Sequence, residues 1–179
     1  MLVDLYAETS SKGICSMSKG ALLIARLSDP ERLVPTAEVF EHSEFVDCWN
    51  AVDGHIDLVA KIKTPASALP DQLRNLPGIA EMYAFDLSEE SGDLVCDPAY
   101  AHSFVFLEVE REKLRPVRDK LRSLKEVAFC SPIQGSDELV AVIRGNTFSS
   151  IDRAINEQIR TTDGVLRLKQ DRVINLKQI

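Results

Sequence analysis

Four residues at positions 54–57, Gly54-His55-Ile56-Asp57, carry the side chains best suited to chemistry in this chain. A carboxylate beside an imidazole can take a ligand's ammonium, hold a metal, or act as a base. Strand alternation over this stretch would put His55 and Asp57 on one face, with Asp53 close by. A solvated hairpin end is the competing reading, since Asp, Gly and His all suit turns. The other histidines, His42 and His102, stand far away, and no HExxH or Cys/His cluster with zinc spacing occurs, so no metal site or cofactor is expected. GxGxxG, GxxxxGK[ST] and GxSxG are all missing. No catalytic residue is therefore assigned. Arg115, Arg118 and Arg122 share one helical face, but Glu112 and Asp119 dilute them, which reads as a solvated face.

The elements that must position these residues come from a chain of 179 residues, 45% hydrophobic and 27% charged, enough for one domain or two small ones. The four cysteines (Cys15, Cys48, Cys96, Cys130) contain no CxxC pair and read as reduced thiols, implying a cytoplasmic protein. No apolar run approaches the ~20 residues of a membrane span, and the N-terminus lacks the pattern of a secretion signal. Neither a membrane nor export is expected. The net charge is −7, the opposite of the balance that phosphate neutralisation favours, so direct nucleic-acid binding is not expected. Charge is also uneven: residues 1–94 hold 7 basic and 16 acidic side chains, the remainder 14 and 12.

Sliding the chain against itself by 81 positions gives 8 identities in the 30 positions from 33 to 62: Leu33, Pro35, Val46, Gly54, Leu58, Val59, Ala60 and Ile62 fall on their like. Chance gives about two in 30, so we read an internal duplication. The offset becomes 82 upstream, setting 21–27 on 103–109, and 86 downstream, setting Arg74 and Gly78 on Arg160 and Gly164. Each copy reads as strand, helix, strand, tight turn at Gly54 or Gly135, strand, helix, strand. That order is ferredoxin-like βαββαβ. The expected organisation is an N-terminal extension (1–17), repeat 1 (18–87), a linker (88–101) and repeat 2 (102–179). The second helix is expected from Ala66 through Leu76 in repeat 1 and from Phe148 through Ile159 in repeat 2. The first and third strands are apolar on both faces while helices cover one face only. The fold class is therefore α+β, with two four-stranded sheets packed face to face as an intrachain pseudo-dimer of the dimeric α+β barrel type.

Residues 103–174 resemble the effector-binding domain of the Lrp/AsnC (feast/famine) regulators. The resemblance runs through Leu107-Glu108-Val109, Lys125-Glu126-Val127, the Gly135-x-x-Glu138-Leu139-Val140 hairpin, Ile155-Asn156 and Gly164-Val165. Residues 21–87 resemble it more weakly, most clearly at Gly54 through Val59. It implies a non-enzymatic regulatory protein that senses an amino acid or related small molecule at the hairpin turns and acts by association, as a homo-oligomer or with a related regulator. It assigns ligand contacts to Gly54, His55 and Asp57, and to Gly135, Asp137 and Glu138, with Asp57 keeping the family acid and Glu138 replacing it. Family members usually carry a helix-turn-helix, for which the roughly 20 residues before repeat 1 are too few. The competing expectations are a small monooxygenase-like enzyme of the same barrel type and a purely structural oligomerisation module.

Overall fold

The computed structural model describes residues 20–176, so the N-terminal extension 1–17 lies outside the described residues. Strands β1 (Ala21–Leu27), β2 (Val46–Asp53), β3 (Leu58–Ile62) and β4 (Ile79–Asp86) alternate with helices α1 (Leu33–His42) and α2 (Asp71–Arg74). After a two-residue strand β5 (Ser91–Gly92), the same order recurs as β6 (Ala101–Val109), α3 (Leu114–Ser123), β7 (Val127–Pro132), β8 (Glu138–Gly145), α4 (Phe148–Ala154) and β9 (Val165–Ile174). Pro35 and Pro116 are each the third residue of their helix, where a missing N–H costs nothing. A Thr147–Ser150 capping box starts α4, and a π-helical turn, Ile155–Ile159, extends it.

Strand alternation sorts the apolar residues into three layers. Leu23, Ala25, Leu58 and Ala60 pack with Phe40 and Leu73 on the helical side of the first half, and Val105, Leu107, Leu139 and Ala141 pack with Val117, Leu121, Ile151 and Ile155 in the second. The intervening positions, Leu22, Ile24 and Val59 from one half and Phe104, Val140 and Val142 from the other, form a single cluster. The two half-sheets thus bury their second faces on each other, which satisfies strands apolar on both sides.

The sheets are not separate. β9 outruns β6, and its last residues pair with β2 (Asp53↔Arg172, Val52↔Val173, Ala51↔Ile174), giving one nine-stranded antiparallel sheet in the order β4-β1-β3-β2-β9-β6-β8-β7-β5. Leu87, just beyond β4, bridges Ile133, just beyond β7, and Gln134 N–H donates to the Asp86 carbonyl at 2.8 Å. Both seams leave fewer unpaired edge groups than two free sheets would. The second helix of the first half is also shorter than its spacing suggests: residues 66–76 form a 3₁₀ turn and the four-residue α2, because Pro65 and Pro70 interrupt it. The connection pairs with β7 at Ser91 and Gly92 and meets α3 at Glu89, where Arg118 pairs with the Glu89 carboxylate and Arg122 donates to the Glu89 and Cys130 carbonyls. Two of the three arginines expected on a solvated face instead fasten the connection between the halves.

Candidate functional site

The β2–β3 turn meets the other half of the chain at Asp171. This residue faces inward on β9 opposite Phe104, and its side chain is fully buried. Its Oδ1 accepts from the N–H groups of His55 (2.6 Å) and Ile56 (3.2 Å), while Oδ2 lies 2.6 Å from His55 Nδ1 at an angle outside hydrogen-bond geometry. Burial raises the Asp171 pKa, outweighing the opposite pull of His55 and the two amides. The His55 ring meets Phe106 edge-on, with centroids 5.7 Å apart, and a third of the side chain is exposed. Gly54 is required by this approach, since a Cβ there would fall 2.2 Å from Asp171 Oδ1.

Alternation does not hold across this turn, because β3 begins only at Leu58. His55 and Asp57 therefore diverge instead of sharing a face. His55 reaches across the seam, Ile56 enters the core between the sheets, and Asp57 turns back to its own half. Asp57 Oδ2 accepts from Leu27 N–H at 2.7 Å, and its own N–H donates to the Ala25 carbonyl at 3.0 Å. In the second half the corresponding strand end uses backbone alone, Val109 N–H donating to the Asp137 carbonyl at 2.9 Å. Asp57 thus substitutes a side-chain acceptor for a carbonyl that the diverted turn has taken away.

The second turn is built differently. Gly135 has φ +81° with open space around it, so its glycine answers a left-handed backbone, where Gly54 answers a close contact. Asp137 pairs with Arg111 at 3.2 Å and Glu138 is exposed. Neither approaches a buried charge like that at the first turn. Asp171 carries no motif of its own in the sequence, lying among the alternating charged and apolar residues of β9. A signal was nonetheless present, since the 86-residue offset sets it on Phe85, a charge against an aromatic ring.

The remaining chemical groups are dispersed. His102 is buried, its pKa lowered mainly by burial, and His42 Nδ1 bonds the Glu38 carbonyl. Burial pushes the Cys96 thiol up to about 12 and that of Cys130 to about 11. Among the described residues, no group of three His, Cys, Asp or Glu side chains could hold a metal ion, and no helix is long and apolar enough to cross a membrane.

Residues 102–175 match the Lrp/AsnC ligand binding domain. This stretch takes in β6 through β9, and so contributes Asp171 and the second turn but not His55. No curated protein sequence matches the chain. Among solved structures, the siroheme decarboxylase NirDL is similar at 14% identity and a TM-score of 0.69, over 87% of this chain and 71% of that one. A putative monooxygenase from Fusobacterium nucleatum is similar at 9% identity and a TM-score of 0.56, over 88% and 93%. An anthrone oxidase-like protein gives 8% and 0.54, over 90% and 94%. At these identities the shared property is the α+β fold with its large antiparallel sheet, and it spans both halves of the chain.

Proposed function

We propose that this chain is a non-enzymatic, small-molecule-binding regulatory module built from two Lrp/AsnC-type effector domains in tandem, derived by duplication. It senses an amino acid or related metabolite and acts by association with itself or a related regulator. The observation that carries this reading is the Lrp/AsnC match over residues 102–175, joined to a first half with the same element order. The first turn is its working site. Asp57 Oδ1, which has no bond among the described residues, takes the ligand's ammonium, and Gly54 and His55 complete the turn. Gly135, Asp137 and Glu138 form the weaker copy, since Asp137 is engaged by Arg111.

The test is thermal unfolding against the twenty amino acids and common metabolites. A ligand at 100 times its Kd stabilises by about 2.7 kcal/mol, or roughly 5–11 °C for a chain of this size. No shift with any compound overturns the reading. One observation favours the enzymatic alternative: an imidazole backed by a buried carboxylate is also an acid–base arrangement. Chemical turnover of a stabilising compound, abolished by His55→Gln, would replace binding by catalysis.

A further inference from the structure

The two seams are related by the duplication, yet they differ in chemistry. At the first, Phe104 and Phe106 of β6 stand opposite Asp171 and Lys169 of β9. At the second, Leu22 and Ile24 of β1 stand opposite Phe85 and Tyr83 of β4, whose rings stack at 6.3 Å. The turn residue that reaches the first seam is His55, and the residue 81 positions on is Ser136, whose hydroxyl donates to the Ile133 carbonyl of its own turn at 3.4 Å. The architecture therefore accepts aromatic and neutral side chains at these positions, and nothing in it demands His, Asp and Lys. Burying a carboxylate is costly, which makes its presence at the first seam informative.

Asp171 commits Oδ1 to two amides and Oδ2 to the Nδ1 side of His55. The other ring nitrogen, Nε2, has no partner among the described residues and donates outward when it carries the proton. Lys169 lies two residues from Asp171 on the same strand face, a spacing of about 7 Å. It is exposed and has no ion pair or hydrogen bond among the described residues. On that face Glu108 is paired with Arg167, so it does not neutralise Lys169. Phe106, directly across the ladder from Lys169 and edge-on to His55, offers partly exposed apolar surface between them.

We propose that His55 and Lys169, with Asp171 as the positioning residue, form an anion site for a small carboxylate whose apolar portion rests on Phe106. The site deepens the ligand-binding reading, since it shares the first turn, and it gives that turn the opposite polarity from Asp57. The carboxylate accepts from His55 Nε2–H and from the Lys169 ammonium, and Asp171, being buried, holds the turn that carries His55 without competing for the ligand.

The experiment is an NMR titration of the full chain with phenylacetate, and separately with phenethylamine, its near counterpart of opposite charge. Phenylacetate should give saturable shifts at His55 and the Phe106 ring, and phenethylamine should not. His55→Gln and Lys169→Gln, both at partly or fully exposed side chains, should each weaken phenylacetate at least fivefold. Asp171→Asn, which keeps an oxygen for the two amides, should also weaken phenylacetate at least fivefold while the His55 and Ile56 amides stay protected from exchange, a combination that a purely structural role would not produce. No saturable shift, equal response to phenethylamine, or undiminished binding by both Gln variants overturns the site. Undiminished phenylacetate binding by Asp171→Asn overturns the role of Asp171. If an amino acid stabilises wild type and both Gln variants alike while phenylacetate fails, the anion site falls and the ligand-binding reading stands. Phenylacetate binding here with no amino acid or metabolite stabilising the chain has the reverse outcome.

Discussion

Replacing Asp171 with Ala removes the acceptor for two backbone donors at the seam, His55 N–H and the buried Ile56 N–H. Hydrogen bonds to charged groups contribute about 1.5–3 kcal/mol each, which sets an upper range of about 3–6 kcal/mol. Part of this is returned, because the wild type keeps a carboxyl in a fully buried place and the variant does not. We expect a net loss of about 2–4 kcal/mol. Asp171→Asn keeps an oxygen for the amides and should stay within about 1 kcal/mol of wild type at pH 7. Urea unfolding at constant m-value measures both. The pH dependence has a definite sign. A carboxyl whose native pKa lies above its unfolded value of 3.8 binds protons in the folded state that the unfolded chain has lost. The stability of wild type relative to Asp171→Asn should therefore be greatest below pH 3.8, fall as pH rises through the native midpoint, and be flat above it. An Ala variant within 0.5 kcal/mol of wild type, roughly the effect of an ordinary surface substitution, would refute the reasoning. So would a wild-type advantage that grows with pH across that window.

The two turn glycines should respond differently to alanine. Gly54→Ala drives a methyl into Asp171 and should cost about 2–4 kcal/mol with loss of amide protection at His55 and Ile56, whereas Gly135→Ala meets only backbone strain of about 1–2 kcal/mol and leaves those amides protected in hydrogen exchange. Asp57→Ala strands the Leu27 N–H and should lower stability by about 1–3 kcal/mol, while Asp57→Asn, which retains an acceptor, should cost less than half as much in the same unfolding assay. Cys96 and Cys130, with thiols held near 12 and 11, should react with a disulfide reagent at pH 8 roughly 100-fold or more slowly in the native protein than in urea. Equal rates would place both thiols in the wrong environment.

Periodicity alone was sufficient to establish the strands and most of the helices, because residues such as Leu22 to Ala25 and Leu139 to Ile143 must be buried on both faces wherever they pack. The order of elements in each half, and the need for cover on the second sheet face, follow from that pattern. The length of the second helix in the first half did not, since apolar spacing from Ala66 to Leu76 concealed the backbone limits set by Pro65 and Pro70. Composition and spacing also drew attention to Gly54, His55 and Asp57, but could not say which way each side chain turns. That depended on where β3 begins, at Leu58, and on what lies across the seam. Asp171 is 116 positions from His55 in the chain, and only tertiary packing brings it within 2.6 Å. A charge's surroundings are a property of three-dimensional burial, which sequence spacing does not encode over such a separation. The sequence could show that the offset sets Asp171 against an aromatic residue of the other half, and the packed seam decided what that difference does.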